Sequence, residues 1–195
     1  GNTGAINVQG ALGDNVPLKA LTVVNSEMAT FTGKVTTSDS VVLTDTRDNN
    51  AIAFNGGLST ATLSVAAQPF NLILRSEVSV TNATTLANTG TLQLGGVESD
   101  NLYFAGGLVA TAPSAITAAG VIRSNNTGIT LGRSGSTIDL LEMTDINSGT
   151  GSLHVVSPVT ANAYRLRLLS TGPTTWDGDL SSTTALRFAG PVTFT

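Results

Sequence analysis

The side chains in this sequence that could carry chemistry are few and widely spaced. His154 is the single histidine among 195 residues. It lies in SLHVVS, where alternation puts Leu153 and Val155 on one face of a strand and His154 with Val156 on the other. A Ser-His-Asp arrangement needs a marked nucleophile, and no G-x-S-x-G elbow singles out one of the many serines. Zinc takes three or four nitrogen or sulfur ligands, which one histidine and no cysteine do not supply. The thirteen acids fall in small groups. Asp45 and Asp48 flank Arg47 in TDTRDNN, Asp139, Glu142 and Asp145 form a short run, and Asp177 and Asp179 sit in WDGD beside the only tryptophan. An aspartate in a turn ordinarily accepts from its own backbone, and that is the reading for most of them. The best sugar-site candidate is the last group, with Trp176 to stack on a pyranose ring and Asp177 and Asp179 to accept from its hydroxyls. No calcium-loop pattern occurs, and the glycine pairs precede strand rather than helix, so no phosphate cradle is expected. The sequence therefore predicts no catalytic residues, no metal and no cofactor.

Composition narrows the partners. Charged residues make up 11%, against roughly 25% in ordinary globular domains. With a net charge of −4 and nine basic residues scattered along the chain, nothing marks a nucleic-acid partner. No apolar run approaches the roughly 20 residues of a membrane-spanning helix, so membrane insertion is not expected.

The elements that must position these residues are short strands. Period-two alternation recurs in AIAF, TLSV, NLIL, TLQL, NLYF, GITL, SLHVV, YRLRLL and ALRF, separated by turn clusters such as TRDNN, NGG, SNNTG and NSGTG. Nothing reads as a helix of several turns, and the fold class is all-β. One phrase repeats: AIAFNGGLST at 51, NLYFAGGLVA at 101 and ALRFAGPVTF at 185, with a looser version, MATFTGKVTT, at 28. Its phenylalanines, Phe31, Phe54, Phe104 and Phe188, are separated by 23, 50 and 84 positions, near one, two and four multiples of about 22. A β-solenoid of about 20–25 residues per coil gives such recurrence a cause, because equivalent side chains stack along its axis; a β-sandwich is the alternative. The phenylalanines are then expected inside, Gly56, Gly57, Gly106, Gly107 and Gly190 at turns, and Asn55, Asn101 and Asn125 in amide ladders between coils. In YRLRLL, alternation sends Tyr164, Leu166 and Leu168 inward and Arg165 with Arg167 outward, to pair with acids one coil away. The Ala-rich TAPSAITAAG at 111 reads as an irregular coil rather than a linker, and residues 1–195 as one domain.

The segment GALGDNVPLKALTVVNSEMATFTGKV at 10–35, with FNGGLST, FAGGLVAT and FAGPVTFT, resembles the strand repeats of very large bacterial surface proteins, the filamentous-haemagglutinin-like adhesins and autotransporter passengers. The resemblance implies a right-handed parallel β-helix, secreted to the extracellular space or cell surface, without enzymatic activity, serving as stalk, fibre or adhesive surface. Three function classes follow: a structural filament or adhesin segment, a carbohydrate-active enzyme or carbohydrate-binding module, and an ice-binding solenoid. The favoured partner is the chain itself, head to tail or in tandem repeats, with surface polysaccharide second. The opening GNTGAINVQG and closing FAGPVTFT carry no capping element, and joined they read as continuous strand, turn and strand. That makes the chain one link of a longer array.

Overall fold

The structure, a computed structural model, describes residues 4–195; Gly1–Thr3 of the opening segment lie outside them. Among the described residues there is no helix, and every strand pairing is parallel. The chain winds as a β-solenoid of about nine turns with about 22 residues each. The coils contribute strand to three faces, the first coil adding only the bridge residue Leu12 to the second, because apolar residues two apart turn inward and a Gly, Asn or Ser corner follows them.

The first face stacks Ile6–Val8, Ala29–Phe31, Ala51–Phe54, Asn71–Leu74 and Thr91–Leu94. It continues through the starts of Ala115–Ser124 and Thr137–Asn147 to Val159–Thr160 and Leu180–Ser181. The second runs from the start of Val35–Leu43 through Leu58–Thr60, Glu77–Val80 and Asn101–Phe104. The ends of the two long strands follow, then Arg165–Leu168 and Ala185–Phe188. The third begins at Leu18–Val23 and includes the end of Val35–Leu43, Thr62–Val65, Thr84–Thr85 and Leu108–Ala110. Ile129–Leu131, Leu153–Val155, Thr174–Trp176 and Val192–Phe194 complete it.

The core is a set of inner rows, one residue per coil. Along the first face, Ile6, Ala29, Ile52, Leu72, Leu92, Ile116, Ile138, Val159 and Leu180 lie in one register. The step along this row varies between 20 and 24 residues, because the corners differ in length. TAPSAITAAG is indeed a coil: Ala115–Ser124 passes the first corner without a break, its register shifting between Ala118 and Gly120. Gly120 has φ +75°, a conformation that bends the strand at little steric cost.

The repeated phrase marks corners rather than one row, which corrects the register expected of it. Phe31 and Phe54 are direct partners at the end of the first face, with ring centroids 4.9 Å apart and planes 8° from parallel. Above them the row continues with Leu74 and Leu94, not with Phe104. Phe104 closes the second face between Val80 and Ser124. Phe188 lies on that face too, above Leu168, two positions out of Phe104's row and only half-buried in the final coil. What these sites share is the chain's turn from one face to the next. Gly56 and Gly106 fit there because a Cβ would collide with the backbone of the coil beneath, at Thr32 and Gly33 or at Asn82 and Ala83. Gly57 and Gly107 take φ of +104° and +100°, and at Gly190, where the chain leaves the second face, a Cβ would meet the carbonyl oxygens of Ser170 and Gly172.

Two further expectations are corrected. Tyr164 does not turn inward; it is 36% exposed, because Asn162 and Ala163 both take positive φ and the strand begins only at Arg165. Leu166 and Leu168 are buried as alternation requires. The asparagines form no amide-to-amide ladder among the described residues. Asn71 bridges coils by donating to the Asn49 carbonyl and accepting from Thr91 N–H, while Asn101 accepts from Arg123. Hydroxyls ladder instead: Ser26 with Thr46, Thr37 with Thr60, Ser136 with Ser157 and Ser148 with Ser170. A hydroxyl both donates and accepts, so it can satisfy a turn carbonyl and a neighbouring hydroxyl together.

Candidate functional site

The sugar-site candidate at WDGD is corrected by the alternation of its own strand. Trp176 is 2% exposed and points inward above Val155, where it lines a void of about 10 Å³ with Leu131, Ile138 and Leu166. A ring enclosed in this way offers no face to a sugar. Asp177, one residue on, faces outward and meets His154 from the preceding coil, Oδ2 lying 2.6 Å from Nε2. Its other oxygen accepts from Thr195 Oγ at 2.5 Å. These two hydrogen bonds, Thr195's first, hold the Asp177 carboxyl below the usual carboxylate range. His154 sits in register between Thr130 and Thr175, and no serine hydroxyl bonds to it, so the pair lacks the nucleophile of a hydrolytic triad. Asp179 lines an open hollow with Asp177 and Ser134, and its carbonyl takes the Val159 N–H.

The remaining acids separate as their strands dictate. Asp139 faces out from the first face, while Asp145, on the same eleven-residue strand, faces out from the second. Arg47 turns away from Asp45 and Asp48 to Glu27, one coil earlier, at 2.8 Å. Among the described residues no three His, Asp or Glu side chains converge as a metal site requires.

The second face gathers charge that looked scattered in the linear sequence. Lys34, Arg123, Arg165, Arg167 and Arg187 project from it or from its edge, five of the nine cations, against Glu77, Glu98 and Asp145. Lys34 Nζ reaches past Gly57 to Glu77 Oε2 at 3.1 Å, spanning two coils over the missing side chain. Arg167 lies directly over Asp145 and grips it with two nitrogens, Nε to Oδ1 at 2.6 Å and Nη2 to Oδ2. That grip raises the Arg167 pKa further above its already high value. The outward arginines of YRLRLL thus pair one coil away through Arg167. Arg165 reaches much farther, to Glu98 at 3.9 Å. Glu98 is presented by the GGVESD loop, which Asp100 closes by accepting Gly96 N–H at 2.8 Å.

Tyr103 stands in the middle of this face with the Arg123 guanidinium 4.2 Å from its ring centre. Neither residue was singled out in the sequence. A signal for the face did exist: Asp145, Arg167 and Arg187 follow one another at 22 and 20 residues, the solenoid's own step.

At the two ends of the stack the inner rows stay partly open among the described residues. Ile6, Val8, Leu12 and Leu21 in the first coil, and Leu180, Leu186 and Phe188 in the last, pack on the core from one side only. Val16 and Val24 are 77% and 65% exposed near the first coil, and Phe194 is 65% exposed in the last. Among the described residues, strands Ile6–Val8 and Leu18–Val23 pair on one edge alone, as do Leu180–Ser181, Ala185–Phe188 and Val192–Phe194. Compared with protein-family models, curated proteins and solved structures, the chain matches none.

Proposed function

We infer that the chain is a non-enzymatic structural element of an extracellular filament or surface stalk, built by stacking solenoid on solenoid end to end. The observation that carries this reading is the parallel stacking itself, in which one inner row runs without interruption from Ile6 to Leu180. Among the described residues the terminal coils have strand partners on one side only and half-covered apolar side chains, the two features that recruit a further strand, from the same chain or from another. The ends also match, since Leu180 and Ile6 are the two extremes of one inner row. A head-to-tail contact of this kind does not close on itself, so it yields a fibre. The enzyme class has little to draw on, given a His154–Asp177 pair without a nucleophile. An ice-binding array needs threonine in regular ranks, and the outward row Thr22, Val42 and Ser64 already breaks rank over three coils.

The test is the mass of the purified 195-residue chain by light scattering over a range of concentrations, with negative-stain imaging. The reading expects mass rising with concentration and unbranched filaments one solenoid wide. A chain that stays monomeric at the highest concentration overturns it.

A further inference from the structure

The second face holds an aromatic platform that the fibre reading does not use. Tyr103 projects outward between Ser79 on the coil below and Arg123 on the coil above. Arg123 covers one side of the ring and is fixed there by Nε donating to Asn101 Oδ1 at 3.1 Å. Below the ring, the next outward residues in the row are Ser79, Ser59 and Thr36, all small. The ring therefore overlooks a shallow depression of about 190 Å³, rimmed by Lys34, Glu77, Asn101 and Arg123. The Lys34–Glu77 pair spans its far side because Gly57 has no side chain to fill the gap.

We propose that this depression binds an acidic polysaccharide, a chain of pyranose rings bearing carboxylates. A sugar ring stacks on the uncovered side of Tyr103 through its C–H face. Glu77 accepts from ring hydroxyls, and the terminal nitrogens of Arg123, which Asn101 leaves free, donate as a planar fork to the carboxylate. Charge complementarity decides for an acidic over a neutral glycan. The depression is lined by two cations, Lys34 and Arg123, to one acid, Glu77, in a chain whose net charge is −4, and farther along the same face Arg187 has no ion-pair partner among the described residues. The depression lies on the side of the solenoid, so this inference stands whether or not the ends stack.

Calorimetric titration of the full chain with polygalacturonate tests it, with dextran as the neutral comparison. Polygalacturonate should bind and dextran should not, and binding should weaken as salt is added. Tyr103→Ala and Arg123→Gln should each weaken binding by about tenfold. Tyr103→Phe, which keeps the ring, should retain it, and Thr117→Ala on the first face should leave it unchanged. The proposal is overturned if polygalacturonate does not bind, if dextran binds equally well, or if Tyr103→Ala and Arg123→Gln bind like the parent chain.

Discussion

Two inner rows, each closing a different face of the same solenoid, solve their corners with different chemistry. The row ending the first face runs Val8, Phe31, Phe54, Leu74, Leu94, Ala118 and Leu140, apolar throughout. The row ending the second face holds Thr37 and Thr60, then Val80 and Phe104, then Ser124, Ser148 and Ser170. All are buried. The first row is held by contact area, including the stacked Phe31 and Phe54 rings. The serines of the second are held by hydrogen bonds: Ser124 and Ser148 each donate to the carbonyl three residues on, at 2.6 and 2.7 Å, closing the turn to the third face. Ser148 also hands its backbone N–H to Ser170 Oγ at 2.8 Å. The lesson is that stacking asks each residue to fit the coil above and below it. A phenyl fits by filling the corner, and a hydroxyl fits by satisfying the turn that shapes it.

If that contrast is right, truncation in the apolar row is the most damaging change. Phe54→Ala should destabilise by about 3–5 kcal/mol through lost burial and a residual cavity, and Phe104→Ala, an apolar member of the mixed row, by about as much. Urea unfolding of the two variants checks this, and a near-zero effect for either would remove that ring from the core. In the hydroxyl stretch, Ser170→Ala strands the buried Ser148 N–H and should cost about 1–3 kcal/mol. Should Ser170→Ala prove as harmful as Phe54→Ala, the distinction between filling and bonding collapses.

The smallest effect tests a hydrogen-bonded group at the solvent face. Asp177 has a folded pKa below its ordinary 3.8, so the stability it contributes is present above that value and is lost as pH falls through the lower folded value. Asp177→Asn should therefore lower the melting temperature slightly at neutral pH, where the ionised carboxylate contributes, and flatten the acid limb below about 4, so that variant and parent converge in acid. An acid limb identical to the parent's would show that the Thr195 and His154 contacts do not hold the carboxylate in solution.

Much of the architecture was legible without coordinates. Period-two alternation, tight-turn residues and a recurrence near 22 gave a solenoid, its coil length and the inward Leu166 and Leu168, because a side chain's direction within a strand follows from the pleat alone. Trp176 shows the same rule neglected: it alternates against Asp177, so the two never belonged on one surface. Register was a different matter. The coil step varies between 20 and 24 residues, and the two coils above Phe54 take only 40, so Phe104, 50 positions on, lies on the next face although the phrases read alike. The charged second face was hidden for the same reason. Arg123, Asp145, Arg167 and Arg187 share a surface only through the inter-coil hydrogen bonds that set one strand over the next. Local sterics, written in the sequence, decided which way each side chain points; which side chains meet was decided by the stacking of the coils, where the lengths of all preceding corners add up.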